Sequence, residues 1–136
     1  MTDSSKKPGI LFVCVANSCR SQMAEGFAKA FAADTWEVWS AGSSPGGHVH
    51  PVAMEMMREL GIDLSEHYSK GVNEVPQRTW DYVVTMGCGD SCPPVPTSRR
   101  LDWDIPDPVS MTTEKARELR DHLRSLIGEL LRHPST

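Results

Sequence analysis

The sequence predicts an α/β protein, an open three-layer domain built on a four-stranded parallel sheet. Apolar segments with strand character alternate along the chain with segments whose apolar residues recur at helical spacing. This alternation favours parallel strands joined by right-handed crossovers. The length of 136 residues suits one hydrophobic core rather than two. We therefore expect a disordered polar tail over residues 1–8 and a single domain over residues 9–133.

Four segments carry the strand signal. Residues 10–15, ILFVCV, form a continuous apolar run, which is typical of a strand covered on both faces. A short second strand is predicted around Val38 and ends at Gly42. The segments WDYVVTM at residues 80–86 and RRLDW at residues 99–103 complete the predicted sheet.

Three segments carry the helix signal. From Ser21 onward, apolar residues recur four apart on one face. The second helix is predicted to start at Pro51 and to end before Gly61, because proline suits the first helical turn and glycine the position after the last. The final helix is long and amphipathic and is stopped by Pro134. The apolar positions of the first and last helices are Met23, Phe27, Phe31, Ala116, Leu119, Leu123, Ile127 and Leu130.

Composition narrows the classes of function. Acidic residues outnumber basic ones by 18 to 14, and this net charge of -4 argues against nucleic acid as a partner. No apolar run reaches the roughly 18 residues of a membrane span, and the polar opening MTDSSKKPG lacks the apolar centre of a signal peptide. We therefore expect a cytoplasmic protein. Thiols stay reduced in that compartment, so the four cysteines indicate catalysis, redox chemistry or metal binding rather than structural disulfides.

The stretch FVCVANSCRSQMAEG joins the end of the first strand to the start of a helix. Cys14 lies near the strand end, and Arg20 and Ser21 lie where the helix begins. Backbone N–H groups of such a turn can converge on a tetrahedral oxyanion, helped by the helix dipole. Arg20 adds a planar fork of donors, and Ser21 can donate to the Cys14 sulfur. Since the same positive field favours a thiolate, one turn would combine a nucleophile with its anion-binding loop.

Two simpler interpretations compete with this one. A cysteine at a strand end is often an ordinary core residue. The four cysteines, Cys14, Cys19, Cys88 and Cys92, can also supply a tetrahedral zinc site. However, Arg20 directly follows Cys19 and would place its charge against the metal. We therefore expect no metal, and nothing in the sequence indicates another cofactor.

Topology gives an independent argument for a site. Cys14, Cys88 and Asp107 each follow a predicted strand. Because the carboxyl ends of parallel strands lie at one edge of the sheet, we expect these three side chains at a common edge.

The segment CVANSCRSQMAEG resembles the phosphate loop of low-molecular-weight protein tyrosine phosphatases, and more closely that of the arsenate reductases that share their fold. WSAGS, LGIDLSEHYSK, WDYVVTMGCGDSCP and DIPDP extend the resemblance over nearly the whole chain. It implies that Cys14 attacks arsenate, that Ser21 supports the thiolate, and that Asp107 protonates the leaving hydroxide. Asp104 is the local alternative to Asp107. The residues implied to hold the oxyanion are Val15, Ala16, Asn17, Ser18, Cys19 and Arg20.

The downstream cysteines separate the activities that this resemblance allows. A phosphatase needs only Cys14, Arg20 and an acid, and usually has tyrosines after the Asp-Pro pair, where this chain has Val109 and Ser110. An arsenate reductase of this type also needs a thiol relay, for which Cys88 and Cys92 are candidates in a loop rich in glycine and proline. The favoured function is therefore arsenate reduction. Alternatives are a tyrosine phosphatase, a transferase from arsenate to a small thiol such as mycothiol or glutathione, and a non-catalytic redox or arsenite-sensing protein.

The electron donor stays open at this point, because the spacing C-x3-C differs from the C-x6-C associated with thioredoxin-coupled members. Thioredoxin is the first choice, and a small thiol with a glutaredoxin-like partner is the second. We expect the protein to be a monomer.

The resemblance also implies residues that support the loop. Some relatives bind potassium beside it through an asparagine, a glutamate, a serine and an aspartate. Asn17, Glu25 and Ser40 match the first three, but Lys70 stands in place of the aspartate. Its ammonium can replace the ion, or it can be an ordinary solvated charge.

Overall fold

The computed structural model describes residues 7–87 and 95–132. Strands and helices alternate as predicted as far as the third strand, and the described residues show no α-helix between the third and fourth strands. The strands are β1 (Gly9–Cys14), β2 (Glu37–Gly42), β3 (Trp80–Met86) and β4 (Thr97–Trp103). The α-helices are α1 (Arg20–Ala32), α2 (Pro51–Arg58) and α3 (Thr113–Arg132). Short 3-10 helices span Val72–Glu74 and Pro108–Ser110.

The four strands form one parallel sheet in the order β2-β1-β3-β4, which confirms the predicted sheet. From β1 the chain builds first toward β2 and then crosses to β3 on the other side, so the strand order reverses at β1. Open α/β sheets bind ligands beyond the carboxyl ends of the strands at such a reversal. Cys14 is the last residue of β1 and therefore lies at this point.

One face of the sheet carries the main core. Ile10 and Phe12 of β1 are fully buried there in a cluster with Phe27 of α1 and Leu123 of α3. The cluster also contains buried side chains of α2, namely Ala53, Met56 and Met57. All three α-helices thus cover the same face. Phe31, expected on the buried stripe of α1, is instead 43% exposed and stacks on Phe27.

The opposite face has a different cover. Leu11, Val13 and Val83 point to that side, because strand side chains alternate, and they cluster with Val75 and Trp80. In the described parts of the chain this layer consists of the loop over residues 71–79 and its 3-10 helix rather than an α-helix. The chain reaches it around the outer edge of β2, where the Gly42 N–H donates to Lys70 O at 2.9 Å.

Helix boundaries follow the sequence closely. Helix α1 begins at Arg20, one residue before the predicted start, and α2 ends at Arg58, followed by a turn to Gly61 at φ +78°. At the amino end, Pro8 O accepts from the Glu37 N–H at 2.8 Å. Within the described residues, no helix is long and apolar enough to cross a bilayer.

Candidate active site

Cys14 lies at the carboxyl end of β1 and is only 2% exposed. Residues 15–19 then form an irregular loop that leads directly into α1. Three loop carbonyl groups face outward, where Val15 O, Ala16 O and Ser18 O accept from the N–H groups of Ser44, Gly46 and His50 at 2.8 Å each. By contrast, no described residue accepts a hydrogen bond from the backbone N–H groups of residues 15–20. The loop therefore offers a set of unengaged donors beside Cys14, as an anion-binding turn requires.

Gly42 allows the loop to pack this closely on β2. A Cβ atom at this position would lie 2.6 Å from Val15 O and 2.9 Å from the Asn17 backbone nitrogen. Backbone atoms cannot yield as a flexible side chain can, so any larger residue at Gly42 would push the loop outward.

Asn17 is the centre of the hydrogen-bond network under the loop. It is fully buried and adopts φ 49°, a left-handed conformation that asparagine tolerates better than most residues. Its Oδ1 accepts from the Lys70 backbone N–H at 2.8 Å. Because that N–H can only donate, the amide nitrogen must face the other way, toward Ser21 Oγ at 2.8 Å and Ser40 Oγ at 3.0 Å.

This network favours one direction for the hydrogen bond between Ser21 and Cys14. Ser21 Oγ lies 2.9 Å from Cys14 Sγ and accepts from Asn17 Nδ2. When Cys14 is a thiolate, its sulfur can only accept, so the Ser21 hydroxyl proton is then directed at the sulfur. A hydroxyl that donates to sulfur stabilises a thiolate over a thiol, so this contact is compatible with the supporting role that the resemblance implies for Ser21.

Beside the serines, Lys70 forms a buried ion pair. Its Nζ lies 3.4 Å from Glu25 Oε1, Ser40 Oγ and Tyr68 O, and its ammonium faces the Tyr68 ring at 4.8 Å. Glu25 also accepts from Ser40 and pairs with Lys29 at 2.6 Å. Burial opposes the charged form of Glu25, but Lys70, Lys29 and Ser40 together lower the pKa of this carboxyl.

Lys70 is itself 2% exposed, so it is not a solvated loop charge. Burial lowers the pKa of its ammonium, and the adjacent Glu25 opposes this effect. These residues leave no place for an additional potassium ion, because the Lys70 ammonium group already lies among the oxygen atoms of Glu25, Ser40 and Tyr68. Elsewhere in the described chain, no group of three or more His, Cys, Asp or Glu side chains is placed to hold a metal.

Arg20 extends across the loop toward the segment that precedes Asp107. Its Nη1 donates to Ile105 O at 3.1 Å. The guanidinium also packs against Gly87, where a Cβ atom would come within 2.1 Å of Nη1. Gly87 has φ +85°, a conformation that favours glycine, and a Cβ atom here would displace the Arg20 guanidinium.

Cys19 and Asp107 lie at the same edge of the sheet. Burial raises the pKa of Cys19 to about 12, with further contributions from the Asp107 and Cys14 charges, while Arg20 opposes them. Cys19 is thus a buried thiol rather than a nucleophile. Asp107 is exposed, and its Oδ1 accepts from the Val109 N–H at 3.1 Å at the start of a 3-10 helix.

Most of the predicted site residues are therefore brought together around Cys14. Cys88 and Cys92 lie outside the described residues. One residue that sequence reasoning missed is Gln22, which is fully buried directly beneath the loop. Its only sequence signal is a polar side chain in the first turn of the helix that follows the loop.

A cysteine at the end of β1, loop N–H groups without an acceptor among the described residues and an arginine at a helix start are the features expected of an α/β protein that binds an oxyanion beside a reactive thiol. Residues 9–134 match the low molecular weight phosphotyrosine protein phosphatase family, and the chain belongs to this family. This confirms the family and fold predicted from the sequence.

Arsenate reductases are prominent among its relatives. The chain is 41% identical to an arsenate reductase of Staphylococcus aureus over 125 residues, which span 89% of this chain and 94% of the relative. A solved arsenate reductase in the phosphate binding state superposes with a TM-score of 0.84 at 37% identity, covering 94% of this chain and 99% of that one. The thioredoxin-dependent arsenate reductase of Corynebacterium glutamicum superposes with a TM-score of 0.77 at 36% identity, covering 95% of this chain and 62% of that one.

Proposed function

We propose that the protein reduces arsenate to arsenite through Cys14. The observation that carries the proposal is the buried Cys14 sulfur, which lies 2.9 Å from the Ser21 hydroxyl beside loop N–H groups that donate to no described residue. Arsenate is a tetrahedral oxyanion of the size that such a loop holds. The similarity to arsenate reductases over nearly the full length supports this choice of substrate.

In the first step, the Cys14 thiolate attacks the arsenic atom of bound arsenate. A sulfur–arsenic bond forms and an arsenic–oxygen bond breaks. The loop N–H groups and Arg20 neutralise the oxygen atoms, and Asp107 gives its proton to the leaving hydroxide, which departs as water. Ser21 stabilises the thiolate before the attack. Arg20 is fixed for this role by Ile105 O and by the space at Gly87.

In the second step, another thiolate attacks the Cys14 sulfur. The sulfur–arsenic bond breaks, its electron pair leaves with arsenic as arsenite, and the two thiols are oxidised to a disulfide. We assign the attack to Cys88 and the resolution of this disulfide to Cys92. Thioredoxin or a small-thiol system with a glutaredoxin-like partner then supplies two electrons. The thioredoxin-dependent relative favours the first of these donors.

Phosphatase activity is the second candidate, since the family is described by it and since Cys14, Arg20 and Asp107 suffice for phosphoryl transfer. The residues that follow Asp107 argue against phosphatase activity as the main function. Val109 is 38% exposed and is followed by Ser110, so neither supplies an aromatic wall for a phenol. A small oxyanion needs no such wall.

We also propose that residues 9–133 act as one catalytic domain behind a tail at residues 1–8. The proposed active form is a monomer in the cytoplasm, where thiols are kept reduced. Sedimentation of the reduced protein tests this assignment.

The decisive assay is arsenate-dependent oxidation of NADPH with thioredoxin and thioredoxin reductase, run beside hydrolysis of an aryl phosphate. We expect rapid turnover of arsenate and slow hydrolysis. Cys14→Ser should abolish both activities while its circular dichroism spectrum stays that of the wild type, because serine cannot form the arsenic adduct at useful rates. Substantial arsenate reduction by this variant would contradict the mechanism.

A further inference from the structure

The hydrogen-bond network under the loop continues beyond Asn17 to a residue outside the site described above. Gln22 Nε2 lies 3.1 Å from Asn17 O, 3.0 Å from Asn17 Oδ1 and 2.9 Å from Tyr68 O. On the other side of the same amide, Gln22 Oε1 lies 3.0 Å from His67 Nδ1.

These contacts fix the orientation of the Gln22 amide. The three oxygen atoms around Nε2 are carbonyl groups, which can only accept, so the amide nitrogen must face them. Gln22 Oε1 therefore faces His67, and His67 Nδ1 must carry a proton to donate to it. Only the Nδ1–H tautomer of a neutral imidazole, or the imidazolium, satisfies this contact.

The surroundings of His67 favour the neutral imidazole over the imidazolium. Burial lowers the pKa of His67, and the charges of Lys29 and Lys70 act in the same direction, against Glu25 and Asp63. The contact is thus a neutral hydrogen bond between a partly buried imidazole and the buried Gln22 amide.

We propose that His67 is a positioning residue for Cys14, acting through the chain of hydrogen bonds His67, Gln22, Asn17, Ser21 and Cys14. His67 holds the Gln22 amide, and Gln22 holds Asn17 at its positive φ by binding both of its carbonyl oxygens. Asn17 in turn keeps Ser21 as an acceptor, which leaves the Ser21 proton for the Cys14 sulfur. If His67 cannot donate, Gln22 Oε1 loses its donor, so the Gln22 amide holds Asn17 less firmly and the Ser21 hydroxyl is less well placed beside Cys14.

The inference rests on the proposed role of Cys14 as the nucleophile, but it can be tested without arsenate turnover. The readouts are the rate at which iodoacetamide alkylates Cys14 at neutral pH, measured on the Cys14 peptide by mass spectrometry, and the dissociation constant for inorganic phosphate. A failed arsenate assay would leave both measurements valid, so the two proposals can fail independently.

The informative pair of variants is His67→Leu and His67→Asn. Leucine removes the donor, whereas the asparagine amide nitrogen is bonded to Cγ, as Nδ1 is in histidine, and can replace the lost N–H. We expect His67→Leu to slow alkylation and weaken phosphate binding by about threefold to tenfold, the size of one lost hydrogen bond. His67→Asn should restore values near those of the wild type. His122→Leu, on the exposed side of α3, is the matched control and should change neither readout.

A third variant, Gln22→Glu, would place a carboxylate against the carbonyl oxygens of Asn17 and Tyr68. It should slow alkylation and raise the dissociation constant for phosphate more than His67→Leu does. The proposal is overturned if His67→Leu has the alkylation rate and phosphate affinity of the wild type. It is also overturned if His67→Leu and His67→Asn reduce the alkylation rate and phosphate affinity equally, because the N–H donor would then be irrelevant.

Discussion

Asn17 shows how one side chain can fix the geometry of an anion-binding loop. Its positive φ costs about 1 kcal/mol for a residue with a Cβ. Its amide makes four hydrogen bonds, to Ser21, Ser40, Gln22 and the Lys70 backbone. Each buried hydrogen bond contributes about 0.5–1.5 kcal/mol net, so the network outweighs the strain. The left-handed turn is therefore stable without glycine.

Gly87 is the second single residue on which the site depends. Gly87→Ala should displace the Arg20 guanidinium, because its Cβ would fall 2.1 Å from Nη1. Loss of one charge-assisted hydrogen bond corresponds to about 1.5–3 kcal/mol, so we expect the KM for arsenate to rise at least about tenfold. Steady-state kinetics with thioredoxin as the electron donor measures this change.

The control for Gly87→Ala is Gly61→Ala. Gly61 also has a positive φ, of 78°, but a Cβ there meets no atom within 4 Å. Both variants should lose thermal stability through backbone strain, whereas only Gly87→Ala should change the KM. An equal KM for the two variants would mean that Arg20 does not need the space at Gly87.

At the scale of elements, the buried pair of Glu25 and Lys70 joins α1 to β2 and to the loop beyond α2. Glu25 belongs to α1, Ser40 to β2 and Lys70 to the loop that turns around the sheet edge. An ion pair of this kind costs desolvation, and its benefit is the fixed relative position of the three segments. The ion pair, which lies outside the loop over residues 15–20, thereby holds together the three segments that pack around this loop.

Lys70 predicts how the protein responds to monovalent cations. If its ammonium takes the place of an ion, exchange of sodium for potassium should leave the melting temperature and arsenate turnover nearly unchanged. Lys70→Asp should create a stabilisation that grows with potassium concentration, because an ion that binds only the folded state stabilises it by mass action. Thermal unfolding in matched sodium and potassium buffers is the measurement. Strong stabilisation of the unaltered protein by potassium would refute the idea.

A second contact between elements, at Glu59, predicts that the free energy of unfolding falls in acid. Glu59, just after α2, accepts from Arg117 and Arg120 of α3 at 2.7 Å each. These hydrogen bonds, that from Arg117 first, lower the pKa of Glu59 from 4.5 to about 2. A depressed pKa means that the stabilisation is complete above the unfolded value of 4.5 and is lost as the pH falls toward 2.

Glu59→Gln should therefore be less stable than the wild type at neutral pH, and the difference should vanish as the pH falls from 4.5 toward 2. Urea unfolding followed at several pH values measures this. Glu118→Gln, on the exposed side of α3, is the control and should show no such pH-dependent difference. If the free energies of unfolding of Glu59→Gln and the wild type differed by a constant amount over this pH range, the stabilisation would not depend on ionised Glu59.

At the scale of the whole molecule, the fold brings distant segments of the chain to one edge of the sheet. Cys14 ends β1, Gly87 follows β3 and Asp107 follows β4. Parallel strands make this inevitable, since all their carboxyl ends point the same way. Cys88 directly follows Gly87 in the sequence and lies outside the described residues.

This placement leads to the prediction for the relay. Cys92→Ser should release one equivalent of arsenite and then stop, with the Cys14–Cys88 disulfide trapped, because nothing carries the oxidation outward by exchange. Cys88→Ser should not release arsenite with thioredoxin at all. Single-turnover assays and peptide mass analysis distinguish these cases. Full multiple turnover of both variants with a small thiol alone would instead make the protein an arsenate:thiol transferase.

The sequence by itself determined the class of fold and the location of the loop. Strand and helix periods are local properties, so the runs around Cys14, Trp80 and Leu123 predict their elements without knowledge of their neighbours. The motif from Cys14 to Ser21 is likewise contiguous, and its resemblance identified the family before the geometry was known.

Only the tertiary structure decided which polar groups meet. The hydrogen bonds that orient Asn17 come from Gln22 nearby, but also from Ser40 and Lys70, which are distant in sequence. Likewise, Lys70 is buried and His67 faces Gln22 only because the chain turns around the edge of β2. Such contacts depend on the relative position of separate elements, which cannot be predicted from a period or spacing along the chain. For the same reason the hydrogen-bond partners of Ser21 at Asn17 and Cys14 follow from the assembled network and not from the motif.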